Sequence, residues 1–535
     1  MRPAADLIPA YPQAMRPTLL FATLCASFAS LAAAEPTRPN ILFVIADDWG
    51  KGHAGAYGCP WVKTPTFDRI AKEGLLFLNA YTPTAKCAPS RSAIMTGRHP
   101  WLLGAAANHQ CVFPPEIGIL PEALDKAGYF YASTGKVWGP GLSLKADDSP
   151  RSMSGKVFAR RKTAPPAEAI ANNDYAANFA DFLQETSPDK PWLFWLGFQE
   201  PHRAYEEGSH ARFGKRPTDV DRVPKYWPDN ATVRGDMLDY AVEIEHLDAQ
   251  LGKVLAQLEA RGELDRTLII VTSDNGMPFP RVKGSTYDDA NHLPFAVRWP
   301  AGIARSGRKV SEFISFTDLA PTFLEAAGLS WDKSGLQPTS GRSLFDVFKS
   351  DSAKPLPGRD FTLIGRERND LGRPQDQGYP VRGIVTAGLI YLENAEPSRW
   401  PACNPETGYL DTDASPTKSF ILQARRTQGT DPFWELCFGM RPGRELYDLK
   451  TDPDCVTNLA SARPVDTERL RTKLWAELKQ QGDLRALGRG AEYEAFPHSD
   501  VRRRNFYDRY MKGELLDANW VKKADFEPAP LKPAR

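Results

Sequence analysis

The sequence predicts an α/β protein with a large, doubly wound, mostly parallel sheet flanked by helices, and a smaller C-terminal α+β subdomain that contains an antiparallel sheet. Three observations support this prediction. Continuous apolar, β-branched runs are typical of strands buried on both faces of a parallel sheet. A long helical pattern lies between two of these runs, as expected for a helix that packs on such a sheet. After about residue 355, short strand-like runs separated by Pro, Gly and Asp residues replace this alternation.

Three runs have the form of buried strands, and polar residues follow each of them directly. The runs are Asn40–Ala46 before Asp47 and Asp48, Trp192–Phe198 before Gln199, Glu200, Pro201 and His202, and Thr267–Thr272 before Ser273, Asp274 and Asn275. Ligands of a doubly wound sheet bind outside the carboxyl ends of its strands. The polar residues therefore predict a functional site at that edge of the sheet.

Seven apolar residues recur at steps of three and four and predict an amphipathic helix that Gly262 ends. They are Met237, Tyr240, Ile244, Leu247, Leu251, Val254 and Leu258. The segment Asp318–Ala327, which stops at Gly328, predicts another helix.

The C-terminal subdomain is predicted from short runs at Phe361–Ile364, Ile390–Glu393 and Glu445–Leu449, followed by a helix over Thr467–Gln481. The segment Pro355-Leu356-Pro357-Gly358 has the composition of a linker. The predicted division is therefore a large N-terminal domain over residues 35–355 and a C-terminal subdomain over residues 356–535.

Composition excludes several classes of protein. The 535 residues include 67 Lys and Arg against 66 Asp and Glu, a formal net charge of +1, which argues against nucleic-acid binding by the overall field. Contents of 42% hydrophobic and 25% charged residues exclude intrinsic disorder. Seven cysteines are too few for a disulfide scaffold in a chain of this length.

The N-terminus has the features of a secretory signal peptide over residues 1–34. Thr18–Ala34 is uncharged and apolar, Arg16 precedes it, and Ala32-Ala33-Ala34 forms a cleavage site. A buried helix or a membrane anchor is the alternative, but the run is short for a span and a polar, Pro-containing segment follows it. We expect a secreted or periplasmic protein (lysosomal if eukaryotic) with no membrane span after cleavage near Ala34.

Export would place the remaining cysteines in an oxidising compartment. One or two disulfides are then allowed, and the candidates are Cys403, Cys437 and Cys455. Cys87 is not expected to pair, because its sequence context points to chemistry.

The segment Cys87-Ala88-Pro89-Ser90-Arg91 carries the most information about function. Pro89 suits the first turn of a helix and Gly97 can end it, so Cys87 lies at a helix N-terminus, where backbone N–H groups favour anions. Arg91, one turn later, suits sulfate or phosphate. For an isolated Cys and Arg we would prefer a helix-start thiol and a solvent-facing side chain, but the complete C-x-P-S-R pattern favours an anion site.

This pattern resembles the signature of type I, formylglycine-dependent sulfatases of the alkaline-phosphatase-like superfamily, in which the Cys is oxidised to formylglycine (3-oxoalanine). Further segments match the family in order over essentially the whole mature chain. They are Asn40–Asp48, Thr64-Pro65, Gly135-Lys136, Pro201-His202, Thr272–Gly276, Lys283 and Glu445–Leu449. Ser273–Pro280 and Glu200–Arg203 are most similar to the N-sulfoglucosamine sulfohydrolase (sulfamidase) branch.

Four residues at the predicted strand ends offer only oxygen ligands: Asp47, Asp48, Asp274 and Asn275. Such donors, without a Cys/His cluster, favour Ca²⁺ or Mg²⁺ over Zn²⁺. Each pair could alternatively serve as a turn or a helix cap. The resemblance implies one divalent ion, usually Ca²⁺, bound by these four residues and by residue 87.

The resemblance also implies a mechanism. Hydrated formylglycine at position 87 would attack sulfur and expel the alcohol or amine, and its second hydroxyl would then lose a proton and release sulfate. Arg91, Lys136 and Lys283 would stabilise the anionic centre, and His202 would protonate the leaving group. Many family members carry a His shortly after the equivalent of Lys136. This chain has none there, and His109 and His292 are the candidate substitutes.

The resemblance points to a sulfated saccharide as substrate and to a formylglycine-generating enzyme as a maturation partner. Candidate substrate-binding residues are Arg203, Asp288, Asp289, His292, Arg366, Glu367 and Arg368. For each of them a surface or structural salt bridge is the alternative. Two other functions stay open: a phosphonate or phosphate monoester hydrolase of the same superfamily, and a catalytically impaired protein that binds sulfated glycans.

Overall fold

The core of the fold is an eight-stranded mixed sheet, seen in a computed structural model that describes residues 1, 9–10, 38–352 and 355–531. Other strands form a four-stranded sheet and a two-stranded sheet. The strands of all three sheets are, in chain order, β1 (Asn40–Ala46), β2 (Leu75–Tyr81), β3 (Cys111–Phe113), β4 (Phe130–Gly135), β5 (Gly141–Ser143), β6 (Lys156–Val157), β7 (Trp192–Gly197), β8 (Thr267–Ser273), β9 (Ala296–Arg298), β10 (Arg308–Ser315), β11 (Phe361–Arg366), β12 (Val381–Thr386), β13 (Leu389–Asn394) and β14 (Arg444–Asp448). The two-stranded sheet consists of β3 and β5.

The α-helices range from single turns to 30 residues. They are α1 (Pro65–Glu73), α2 (Cys87–Thr96), α3 (Leu120–Lys126), α4 (Tyr175–Glu185), α5 (Ser209–Arg212), α6 (Ala231–Ala260), α7 (Asp288–Asn291), α8 (Leu319–Ala326), α9 (Trp331–Ser334), α10 (Phe345–Lys349), α11 (Pro416–Gln428), α12 (Pro432–Phe438), α13 (Pro464–Gln481), α14 (Glu492–Ala495) and α15 (Phe506–Tyr510). No helix of the described ranges is long and apolar enough to cross a membrane.

The large sheet has the strand order β10-β2-β9-β8-β1-β7-β4-β6. Its neighbours pair in parallel except β9, which is antiparallel to β2 and β8. Side chains alternate between the two faces of a strand. In β1, Leu42 and Val44 pack in one apolar cluster with α1, α4 and α6. Ile41 and Phe43 pack on the opposite face with α2, α3 and α8. Helices therefore cover both faces, as the buried runs predict.

The C-terminal part of the chain forms an antiparallel sheet of order β11-β12-β13-β14. Leu470, Leu474 and Leu478 of α13 are fully buried against one face of this sheet. Its other face packs in a cluster that includes Tyr81 at the end of β2 and Phe313 of β10. The predicted fold class is thus confirmed. The division into domains at residues 355 and 356 stays a prediction, because Arg38–Arg535 forms one compact unit.

The predicted amphipathic helix is α6. Its apolar residues are buried because they share the face that packs on the sheet. The Asn230 side chain accepts a hydrogen bond from the backbone N–H of Val233 and caps the helix start. The predicted pattern began at Met237 and missed the first six residues, although buried Val233 continues the spacing one turn earlier.

The predicted signal peptide lies outside the described residues. The six cysteines after it are free thiols: Cys59, Cys87, Cys111, Cys403, Cys437 and Cys455. The expectation of a disulfide among Cys403, Cys437 and Cys455 is therefore wrong. Their sulfurs contact different carbonyl groups, those of Asp370, Tyr226 and Pro453 respectively, so the fold holds the three thiols in separate environments.

Candidate active site

Three adjacent central strands, β8, β1 and β7, end at the candidate site. β1 and β8 pair in parallel with Ala46 opposite Ser273, so Asp47 and Asp274 leave the sheet at the same level. The backbone N–H of Asp274 donates to the carbonyl of Ala46 at 3.2 Å, which holds the two strand ends together. The sheet register therefore brings together acidic residues that are more than 200 positions apart.

The first feature of the site is a cluster of three carboxylates. Asp47, Asp48 and Asp274 each place an oxygen atom within 4.8 Å of the others, and all three residues are at most 2% exposed. The Asn275 amide Nδ2 donates to Asp48 Oδ1 at 2.6 Å. The buried Asn275 Oδ1 has no hydrogen-bond partner in the described part of the chain.

These residues fit a hard divalent cation. Buried carboxylates this close together need positive charge to balance them. A buried amide oxygen without a partner is unusual in a folded protein and is a suitable additional ligand. The set contains oxygen donors, which is the chemistry that Ca²⁺ and Mg²⁺ prefer.

Basic side chains of the protein also contact the cluster. Lys136 Nζ lies 2.5 Å from Asp47 Oδ2, Lys283 Nζ lies 2.7 Å from Asp48 Oδ2, and Arg91 Nε donates to Asp274 Oδ2 at 2.7 Å. Each carboxylate therefore has its own cationic partner.

Burial raises the pKa of Asp47, but the charges of Lys136, His202, Arg91 and Lys283 outweigh it and hold that pKa well below the ordinary value. For Asp274, burial and the neighbouring Asp47 carboxylate raise the pKa to about 7, against the opposing effect of Arg91. Of these two groups, Asp274 is therefore the one whose raised pKa favours the protonated form.

Cys87 is the first residue of α2, and the extended backbone of Lys86 precedes it. The helix ends at Gly97, whose φ of 67° is the left-handed conformation that glycine adopts easily. The Cys87 thiol is 2% exposed, and its Sγ donates to Asp47 Oδ1 at 3.4 Å. Burial and the Asp47 charge raise the pKa of this thiol, so the unmodified side chain is a poor nucleophile.

Arg91 is fully buried and points into the protein. Besides Asp274, its guanidinium donates to the carbonyl of Lys136 at 2.7 Å. Lys283 Nζ lies between two carboxylates, 2.7 Å from Asp48 and 3.1 Å from Asp413. Arg91 is therefore placed to orient its neighbours, whereas Lys136 and Lys283 each hold a positive charge beside a carboxylate of the cluster.

His202 lies in the loop after β7. Its Nδ1 is 2.5 Å from the carbonyl oxygen of Arg203, which can only accept, so Nδ1 carries a proton. The other ring nitrogen, Nε2, is 3.9 Å from Asp48 Oδ2. The side chain is 34% exposed, which leaves Nε2 accessible from the cavity that His202 lines.

Two cavities open at the site. One, of about 400 Å³, is lined by Asp47, Lys136, Ala169, Ala171, Gln199, Glu200, His202, Arg203 and Glu243. We call it the reaction cavity. The second, of about 500 Å³, shares His202 and Arg203 with the first and extends to Asp413 and to Arg503, Trp520 and Lys522 of the C-terminal segment. Both volumes lie in the range of small-molecule sites.

The structure brings together the residues predicted for catalysis and metal binding around the end of β1. Of the seven predicted substrate-binding residues, Arg203 lines both cavities. Its guanidinium pairs with Asp236 at 2.8 Å.

The other six do not line either cavity. Asp288 pairs with His292, whose ring stacks on Tyr81, and Asp289 accepts from the Tyr226 hydroxyl. Arg366 pairs with Asp411, Glu367 with Arg382 and Arg485, and Arg368 donates to the carbonyl of Phe496. Arg366 and Asp289 line two other cavities, and a role of these six residues in substrate binding stays a prediction.

Sequence reasoning missed several charged residues of the site. Lys86 pairs with Asp370 at 2.8 Å, and His109 Nδ1 lies 3.2 Å from the same carboxylate. The position of Lys86 directly before Cys87 could have identified it. Asp413 and Asp370 gave no signal, since they come from loops of the C-terminal part. Neither His109 nor His292 lines the reaction cavity, and a role for either in place of the absent His after Lys136 stays a prediction.

Comparisons with known proteins agree with this geometry. A family model described as Sulfatase matches residues 39–329. The chain is 27% identical to an ulvan-active sulfatase of Formosa agariphila, over 80% of this chain and 72% of that protein. It is also 27% identical to the N-sulphoglucosamine sulphohydrolase of Homo sapiens, over 82% of this chain and 89% of that protein.

A solved structure with the same fold is that of a protein in complex with its substrate D-glucosamine-2-N,6-O-disulfate. Its TM-score is 0.56 at 20% identity, and the match covers 83% of this chain and 98% of that one. The family match extends over more than half of the 535 residues. The chain therefore belongs to the sulfatase family and is an enzyme that hydrolyses sulfuric esters or N-sulfate groups.

Proposed function

We propose that this protein is an exported, formylglycine-dependent sulfatase that removes sulfate from a saccharide with the help of one divalent cation, most simply Ca²⁺. The observation that carries the proposal is the position of Cys87. Its Sγ lies 3.4 Å from Asp47, which belongs to the carboxylate cluster and also lines the reaction cavity. A modified residue 87 would thus lie beside both the cation and the substrate.

Asp47, Asp48, Asp274, Asn275 and residue 87 would hold the cation. When bound, it would lower the pKa of a hydroxyl group at residue 87 and neutralise sulfate oxygens. A hydrated formylglycine at position 87 would supply two hydroxyl groups, one as the nucleophile toward sulfur and one whose deprotonation would allow sulfate to leave.

Lys136 and Lys283 supply fixed positive charge for the sulfate oxygens. Burial lowers the pKa of Lys283, but Asp413 and Asp48 outweigh it and raise that pKa well above the ordinary value, so the side chain stays charged. For Lys136, the charge of Asp47 likewise outweighs burial and raises the pKa above the ordinary value, so this side chain also stays charged. Arg91 acts as a positioning residue, because its guanidinium joins Asp274 to the carbonyl of Lys136.

His202 holds the proton that the leaving group needs. Since Nδ1–H donates to the Arg203 carbonyl, the ring is oriented with Nε2 as the nitrogen that can gain a proton and pass it on. Transfer from Nε2 to the departing oxygen or nitrogen avoids the release of an alkoxide or an amide anion.

A saccharide fits the space beside these groups. The two cavities, of about 400 and 500 Å³, share His202 and Arg203 in their linings, and either volume has room for a sugar on the leaving-group side. The relatives named for ulvan and for N-sulphoglucosamine favour the same class. Arg203 is the predicted substrate-binding residue that this proposal retains.

The test combines mass spectrometry with a substrate panel. The peptide containing residue 87, from protein coexpressed with a formylglycine-generating enzyme, should carry the mass of formylglycine. The panel contains O-sulfated and N-sulfated glucosamine, an aryl sulfate, and the matching phosphate and phosphonate esters, with Cys87→Ala as control.

Sulfate release that the control loses would support the proposal. Faster turnover of the phosphate or phosphonate ester than of the sulfate would contradict the proposal and identify a phosphonate or phosphate monoester hydrolase. Binding of sulfated glycans without sulfate release by fully modified protein would identify a glycan-binding protein instead.

A further inference from the structure

Glu243 is a buried carboxyl group in the wall of the reaction cavity. It lies in the middle of α6, is 2% exposed, and lines this cavity together with Asp47, Lys136 and His202. Among the described residues, no hydrogen bond or ion pair reaches its side chain. Because the group lines the cavity, its hydrogen-bonding capacity is available to a molecule bound there.

The neighbouring acidic side chains differ from Glu243 because each of them has a hydrogen bond or an ion pair within the protein. On the same face of α6, Asp236 pairs with Arg203 at 2.8 Å, and Asp239 accepts from Ser209 and His210 at 3.0 and 2.9 Å. Within the cavity wall, Glu200 accepts from the Tyr175 hydroxyl at 2.8 Å and from the backbone N–H of Ala171 at 3.0 Å. The free carboxyl of Glu243 is therefore not a general property of this region.

The charge state of Glu243 suits a cavity that receives an anion. Burial, together with the carboxylates of Glu200 and Asp239, raises the pKa of Glu243 to about 9. At neutral pH the group is a carboxylic acid, which does not repel sulfate and can both donate and accept a hydrogen bond. A sugar hydroxyl has the same two capacities.

We propose that Glu243 is a specificity residue that binds a hydroxyl group of the sugar carrying the reacting sulfate. The inference rests on the proposed sulfatase function and deepens it, because it makes a hydroxylated substrate a requirement of the cavity itself. An aryl sulfate would react at the same centre without this contact. Glu243 would then discriminate between the two classes of substrate.

The test compares Glu243→Leu and Glu243→Gln with wild-type enzyme on two substrates, D-glucosamine-2-N,6-O-disulfate and 4-nitrophenyl sulfate. Loss of one hydrogen bond to a buried polar partner lowers kcat/KM by about 10- to 100-fold. We expect this loss for Glu243→Leu on the sugar, and a change of less than about threefold on the aryl sulfate. Glu243→Gln keeps a donor and an acceptor and should retain most of the sugar activity.

The matched control is Glu259→Gln on the same helix, whose side chain is 41% exposed and pairs with Arg69 outside the cavity. This variant should leave kcat/KM unchanged for both substrates. Equal losses on both substrates for Glu243→Leu would show a structural role, and no loss on either would show that Glu243 does not meet the sugar. Either result overturns the inference while leaving the sulfatase proposal intact. Failure of wild-type enzyme on both substrates would overturn the proposed function, and this inference with it.

Discussion

Replacing Glu243 by Gln should stabilise the protein at neutral pH. The glutamine side chain has nearly the same shape as glutamic acid but cannot ionise. In the folded protein, burial and the Glu200 and Asp239 carboxylates raise the pKa of Glu243 from 4.5 to about 9. In the unfolded chain the group returns to its ordinary pKa. The wild-type protein therefore pays a protonation cost on folding that the variant does not have.

The size and sign of this effect follow from the two pKa values. Below pH 4.5 Glu243 is protonated in both states and has no cost. As pH rises toward 9, the unfolded chain loses the proton and the folded protein keeps it, so stability falls by about 1.4 kcal/mol per pH unit. At pH 7, which is 2.5 units above the unfolded value, the cost is about 3 kcal/mol.

Urea denaturation of the wild type and Glu243→Gln, followed at several pH values between 5 and 8, measures this difference. The advantage of the variant should grow with pH. Glu259→Gln, which changes an exposed carboxylate of the same helix, should stay within about 0.5 kcal/mol of the wild type. A difference that is independent of pH, or a variant less stable than the wild type at pH 8, would refute the assigned charge state.

Three further predictions concern the catalytic centre. Cys87→Ala should abolish turnover of every sulfated substrate while the melting temperature changes little, because the residue removed is small; activity assays and circular dichroism check this, and normal turnover would exclude Cys87 as the nucleophile. The double change Asp47→Ala and Asn275→Ala should remove the bound divalent ion, measured by metal analysis of the desalted protein; an unchanged calcium content would show that the ion binds elsewhere. Asp413→Ala should cost about 1 to 3 kcal/mol in urea unfolding, because Lys283 loses one of its two buried carboxylate partners and keeps Asp48, and a loss below about 0.5 kcal/mol would contradict this account of the pair.

Local pattern predicted much of the fold. The bounds of β1 are those of the apolar run Asn40–Ala46, and the polar pair after it marks the strand end. α6 follows from its three-and-four spacing, because one face of the helix must be apolar to pack on a sheet. These features depend on residues close together in sequence, so the sequence alone reveals them.

The predicted substrate-binding residues illustrate the limit of this reasoning. Arg366, Glu367 and Arg368 are candidates by sequence, and in the structure each side chain contacts a residue of another segment of the fold. A buried charge requires a partner whatever its function. Sequence pattern cannot distinguish a charge that serves the substrate from one that serves the fold.

The sequence by itself determined the strand ends that supply the acidic residues, the helix start at Cys87 and the family to which they point. Only the tertiary structure decided that Lys283 lies between Asp48 and Asp413, and that Glu243 faces the reaction cavity with no hydrogen bond from the described residues. The physical reason is the distance along the chain over which each effect acts. Periodicity and capping act over a few residues, whereas the partner of a buried charge is chosen by how distant segments pack, and no local signal records that choice.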